Sequence, residues 1–167
     1  MWKRISELFS HLPAQRQVAR KLIELGLSIN SEGKILCGDV EIKEISLARA
    51  SGVDRRIVVS TVSSILSDKS LSRLFSGIKP AGSLLKDVAK DLGFGVVELE
   101  AQAAKPAIIA KATGILAKRR ISIRQIYAKD PELYEVPTLT IITERPIPGT
   151  LLAEFSKIPG VTKVSVF

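Results

Sequence analysis

The chain has 167 residues, a net charge of +8 and 46% apolar residues, which suits one ordinary domain or two small ones with a true core and excludes a disordered chain. No apolar run reaches the roughly 18 residues of a membrane span, and the lone Cys37 and lone His11 exclude a disulfide framework and a zinc cluster. The opening residues, Met1 to Glu7, lack the apolar stretch of a signal peptide, so a cytoplasmic protein without a membrane partner is expected.

The charge is spread rather than focused. Residues 1–94 hold 15 Lys+Arg against 10 Asp+Glu, and residues 95–167 hold 10 against 7. An excess of this kind attracts phosphate non-specifically and names no partner by itself.

In chain order, Pro13 to Leu25 reads as a helix with Val18, Leu22 and Leu25 on one face and Gly26 as its C-cap. Leu27–Ile29 and Lys34–Cys37 flank Asn30-Ser31-Glu32-Gly33 as a small hairpin, and Gly38-Asp39 breaks the run. From Glu44 the pattern turns helical, with Ile45, Leu47 and Ala48 leading to Ser51-Gly52-Val53. Ala48 four residues before Gly52, with Val53 and Val58 after it, is the spacing of a helix-turn-helix. A small residue lets the helices cross closely, the glycine takes the turn with φ > 0, and the apolar residues lock the pair.

Asp54 is placed to cap a second helix, Arg55–Leu66, whose Val58, Val62 and Ile65 face the core. Arg55, Arg56, Val59, Ser60 and Ser63 then face outward as candidate contacts to double-stranded DNA. Thr61 stands where an apolar residue is more usual. A third helix spans Lys69–Ser76. After Pro80, a stripe of Leu84, Leu85, Val88, Ala89 and Leu92 predicts a fourth, and Gly93-Phe94-Gly95 marks the domain junction. The expected domains are therefore 1–94 and 95–167.

The second of these reads strand, helix, strand, strand, helix, strand. Val97, Leu99 and Ala101 alternate with Val96, Glu98 and Glu100. Pro106 opens a helix striped by Ile108, Ala112, Ile115 and Leu116. Strands Ser122–Ala128 and Thr138–Thr143 follow, then a helix carrying Leu151, Leu152, Phe155 and Ile158 that stops at Pro159-Gly160, and a last strand Val161–Phe167. The fold class expected is α+β: a mainly helical N-terminal domain with a helix-turn-helix and a small hairpin, then a ferredoxin-like βαββαβ domain.

No catalytic centre is legible. Gly77 and Gly82 lack the Lys-Ser/Thr of a phosphate loop, there is no Gly-x-Ser-x-Gly elbow, Cys37 sits in an apolar strand, and Asp130-Pro131-Glu132 has the composition of a turn. The expectation is a protein that is not an enzyme and needs no cofactor.

The run Ala104-Lys105-Pro106-Ala107-Ile108-Ile109-Ala110-Lys111-Ala112-Thr113-Gly114-Ile115-Leu116-Ala117, followed by Ile121-Ser122-Ile123-Arg124-Gln125-Ile126, resembles an ACT domain, and the resemblance covers 95–167. With Gly52-Val53-Asp54-Arg55-Arg56 ahead of it, the whole chain is similar to a family of archaeal proteins described as predicted regulators of amino acid metabolism. The resemblance implies a regulatory module that binds an amino acid or related small anionic metabolite and pairs as a homodimer. It places the effector site at Gln102, Ala103, Ala104, Lys105, Pro106, Ala107 and Ile108, facing Ile123, Arg124 and Gln125 of a partner.

Ala104 stands where the family motif usually has Asp, and Ala107 where it has Gly. The first change removes the partner of a ligand ammonium and the second adds a methyl at the closest approach. Lys105 and Arg124 favour an anion. Two functions follow as expectations: a transcription regulator whose ACT module senses a metabolite, or a regulatory dimer that acts on an enzyme by contact and binds no DNA.

Overall fold

The computed structural model describes residues 2–102 and 105–167, with only the backbone of Arg4. The chain is mixed α+β and divides into two compact units, Met1–Gly82 and Ser83–Phe167.

In the first unit, helices α1 (Trp2–Leu8), α2 (Pro13–Glu24), α3 (Glu44–Ser51), α4 (Arg55–Ser67) and α5 (Lys69–Ser76) accompany strands β1 (Ser28–Ile29), β2 (Ile35–Cys37) and β3 (Val40–Ile42). Helix α2 packs on both α3 and α4. Their apolar stripes meet in one core that includes Val18, Leu22, Leu47, Ala48, Val58 and Ile65. Ile5 and Phe9, from α1 and the turn after it, complete that core; this helix was not legible in the sequence.

The end of α2 and the turn after β2 depart from expectation. Leu25 is exposed, because the helix has ended by then and Leu25 is its C-cap. Gly38-Asp39 is a hairpin turn that leads into β3: Cys37 pairs directly with Val40, and Gly38 takes the left-handed conformation a two-residue loop demands. The small sheet is thus three-stranded and antiparallel, in the order β1-β2-β3.

The second unit holds β4 (Gly95–Ala101), α6 (Ile108–Lys118), β5 (Ile123–Ala128), β6 (Thr138–Thr143), α7 (Leu151–Ser156) and β7 (Val161–Val166). The strands form one antiparallel sheet in the order β5-β6-β4-β7. Val97, Leu99 and Ile141 meet Ala112 and Leu116 of α6 and Leu151 and Phe155 of α7 in the main core, so both helices lie on one face of the sheet. That one-sided cover explains the strand alternation. It does not explain Val96 and Ile142, which point to the other face and are buried too.

Segment 83–94 buries them. Leu85, Ala89 and Phe94 pack on Val96 and Ile142, which moves the boundary expected at 94/95 back to 82/83. The helix expected over Leu84–Leu92 is only a 3-10 turn, Lys86–Val88. The Gln125 side chain accepts from the Leu85 N–H (3.0 Å) and donates to the Ser83 carbonyl (2.8 Å). A sheet residue thereby holds the segment where a helix would have begun. Among the described residues, no helix is long and apolar enough to cross a membrane.

The left-handed Gly26 ends α2, and a Cβ there would lie 2.7 Å from Pro80 Cα and 3.1 Å from the Lys79 carbonyl oxygen. Gly38 is also left-handed, but its Cβ would meet nothing. Gly38→Ala is expected to cost about 1 kcal/mol from backbone strain alone, and Gly26→Ala at least about 2 kcal/mol, because backbone must also move. Urea denaturation of the two variants compares them directly; equal losses would show that the Gly26–Pro80 approach carries no weight.

Candidate functional site

The α3–α4 pair is built by local chemistry. Gly52, with φ of 63°, ends α3 in the left-handed region, and the Val53 N–H donates back to the Ala48 carbonyl (3.1 Å). Asp54 then caps α4 by accepting from the Arg56 N–H (2.8 Å). That bond, and after it the Arg56 guanidinium, hold the Asp54 carboxyl below its ordinary range. The core face is as the spacing requires: Val58 and Ile65 are fully buried and Val62 nearly so. Thr61 is fully buried as well, and its hydroxyl is satisfied by donating to the Ile57 carbonyl (2.6 Å).

On the outer face, Arg55, Arg56, Val59 and Ser63 are exposed. Ser60 is not freely outward as expected. It is half-buried, donates to the Ile57 carbonyl and accepts from Gln15 Nε2 (3.2 Å). Ser64 in turn donates to Gln15 Oε1 (3.3 Å). One amide on α2 thus clasps two hydroxyls on α4, a pairing over more than forty residues that no local pattern announces. Arg55 lies 3.6 Å from Glu44 and Arg56 3.2 Å from Asp54. Both pairs are solvent-exposed and of the weak class, so a phosphate can displace the carboxylates.

The expected effector residues do not converge within one chain. Gln102 is exposed, and its N–H donates to the Gly160 carbonyl (2.8 Å), beyond the last residue of β4. Ile123 begins β5 at the opposite end of the sheet, since it pairs with Thr143, which pairs with Gly95. Six residues of β4 separate the two places, about 20 Å. Ala103 and Ala104 lie outside the described residues. Lys105 and Pro106 are exposed, and the Lys105 stem crosses Gly160.

Pro106 does not open α6, which starts at Ile108. Ala107 intervenes with φ of 68°, the left-handed conformation, at the position where the resemblance expects glycine. The Ile108 side chain is buried in the main core and is withdrawn from any ligand, and Ile123 packs against that core.

On β5, Ile123 pairs with Thr143 and Gln125 with Ile142, so Arg124 is the extra residue of a β-bulge. The bulge sends both Arg124 and Gln125 toward segment 83–94. The Arg124 guanidinium lies 5.0 Å over the Phe94 ring, and the Gln125 amide makes the clasp already described. Gln125 is therefore a structural strut, not a free ligand contact.

Sequence reasoning missed one polar cluster on the same face. Lys86 donates to Glu98 Oε2 (2.6 Å), and Thr140, paired with Glu98 across the strands, donates to Oε1 (2.9 Å). Burial pushes the Glu98 carboxyl up, but the hydrogen bonds from Lys86 and Thr140 and the charge of Lys86 outweigh it and hold it below its ordinary value. The alternation in β4 was a visible signal that Glu98 faces away from the helices; its partner on segment 83–94 was not. Asp130 accepts from the Glu132 N–H (2.8 Å) and shapes a turn. Among the described residues no group of acidic, His and Cys side chains is arranged to hold a metal ion. No protein-family model matches the chain, and no curated protein is significantly similar to it.

Two outcomes follow. Ala107→Gly relieves left-handed strain worth about 1–2 kcal/mol against a smaller entropic loss, for a net gain of roughly 0.5–1 kcal/mol; a thermal midpoint that falls would contradict it. The depressed Glu98 contributes stability that is fully present above its unfolded value near 4.5 and is lost as pH falls through the lower folded value. Glu98→Gln should therefore lower stability at pH 7 and flatten its decline between pH 5 and 3, as read by urea melts at several pH values.

Proposed function

We propose that this chain is a ligand-responsive regulator of amino acid metabolism acting in the cytoplasm, a transcription regulator whose N-terminal unit reads double-stranded DNA and whose C-terminal unit is an ACT-type sensor. In this reading α3 and α4 form a helix-turn-helix and α4 is the recognition helix. The observation that carries it is the division of α4 into a fully packed inner face and an outer face led by two exposed, displaceable arginines. The strand order β5-β6-β4-β7 with both helices on one face supports a ferredoxin-like assignment for the second unit.

The edges of β5 and β7, unpaired among the described residues, support a homodimer. So does the separation of the 102–108 loop from the start of β5, because only a second copy can bring those two halves together. Coupling then requires the ligand to favour one dimer arrangement over another. The contact-regulator reading, a non-DNA-binding dimer that acts on an enzyme, is favoured by the exposed apolar side chains Leu84, Val88 and Leu92.

Binding of a mixed-sequence duplex, followed by fluorescence anisotropy across a salt series, separates the two. The DNA reading expects affinity that falls steeply with salt. It also expects Arg55→Ala/Arg56→Ala to weaken binding about tenfold or more at low salt, with a slope smaller by about 2. No duplex binding at about 50 mM salt would end the DNA reading and leave regulation by contact.

A further inference from the structure

Segment 83–94 covers only part of the sheet's second face, and beside it opens a cleft of about 730 Å³, a size typical of small-molecule sites. Its floor is apolar: Ala89 and Val96 are each 1% exposed. Phe94 and Phe167 wall it, and each ring is held by a cation, Arg124 at 5.0 Å and Lys86 at 5.1 Å from the ring centre. Lys86 is already committed to Glu98. That ammonium fixes a wall and is not available to a ligand.

Two other charged side chains line the cleft, Asp87 and Lys90, and neither has an ion-pair partner among the described residues. They lie three residues apart, Asp87 within the 3-10 turn Lys86–Val88 and Lys90 two residues past its end. An anion and a cation, each without an ion-pair partner among the described residues, therefore line one cleft with an apolar floor and two aromatic rings. A simple anion would meet Asp87 unfavourably, and a simple cation would meet Lys90. A molecule carrying both charges on one end of a flat apolar body satisfies each group at once.

We propose that this cleft binds a small zwitterion with a planar ring, its ammonium on Asp87, its carboxylate on Lys90 and its ring between Phe94 and Phe167. The site shares no lining residue with the loop Gln102–Ile108. It gives the ligand-responsive reading a place to bind, yet it needs no DNA contact, so the two fail separately.

Calorimetric titration of the full chain, without DNA, with tryptophan, indole-3-propionate and tryptamine tests it. Tryptophan should bind, and each single-charge analogue should bind at least about tenfold more weakly, the weight of one charge-assisted hydrogen bond. Asp87→Asn should weaken tryptophan and, by removing the repulsion, leave indole-3-propionate no weaker than before. Lys90→Gln should weaken tryptophan and, by removing the repulsion, leave tryptamine no weaker than before. Lys105→Gln, in the loop, should alter none of the three. Both cleft substitutions are at exposed positions, and an unchanged thermal midpoint verifies that each variant is folded. The proposal is overturned by no binding of tryptophan at millimolar concentration, by tryptophan affinity that survives Asp87→Asn and Lys90→Gln, or by its loss in Lys105→Gln.

Discussion

A single sheet with both helices on one side has a second side to cover, and that constraint shapes the whole C-terminal unit. The main core consumes alternate residues of each strand, Val97 and Leu99 on β4 and Leu139 and Ile141 on β6. Their neighbours Val96 and Ile142 are just as apolar, and leaving them in water would forfeit about 1.5–3 kcal/mol each. Segment 83–94 supplies the cover with Leu85, Ala89 and Phe94. Cover of that kind works only if the segment is held down. The Gln125 amide does so at two backbone groups, and the Arg124 bulge does so at the Phe94 ring. The sheet then changes character along its length: apolar under the segment, polar at Glu98 and Thr140. The cleft opens beside that cover, where the sheet floor is still apolar at Val96 and the rim already carries charge at Lys86, Asp87 and Lys90.

The N-terminal unit answers the same need with three helices packed together. Each of α2, α3 and α4 hides a stripe, and α4 leaves Arg55, Arg56, Val59, Ser63 and Ser67 exposed. The Gln15 clasp on Ser60 and Ser64 takes two more polar positions out of circulation. Fixing α4 through hydroxyls on its flank costs those residues any role at the surface, but it holds the exposed first turn at a set angle to α2. A surface meant to meet a rigid partner gains from that fixity, because less side-chain and helix freedom is lost on contact.

The features legible in the sequence were those written at short range. The caps at Asp54 and Gly52, the inner stripe of α4 and the order of the last six elements all rest on residues within a few positions of one another. What escaped depends on distant partners. Leu84, Leu85, Val88, Ala89 and Leu92 carry a helical period, yet the backbone that would begin the helix bonds to Gln125, forty residues on. Ser60 has the composition of an exposed contact and is claimed by Gln15 from another helix. Pro106 has the right chemistry for a helix start and stands two residues too early, because the chain takes one left-handed step at Ala107 first.

That step bears on where a ligand can go. A left-handed alanine holds a backbone conformation that glycine takes without strain, while adding a methyl and losing conformational freedom. The Ile108 side chain beneath it is committed to the core. Among the described residues of the loop the polar side chains are Gln102 and Lys105, both exposed, with the Lys105 stem lying across Gly160. On the other face of the same sheet, charge of both signs, two aromatic rings and a buried apolar floor occur together. Binding a small molecule needs both desolvated apolar area and a few polar groups that orient it, and the cleft face combines them. The proposed loop site needs residues from a second copy, whereas the proposed cleft site draws all its residues from one chain.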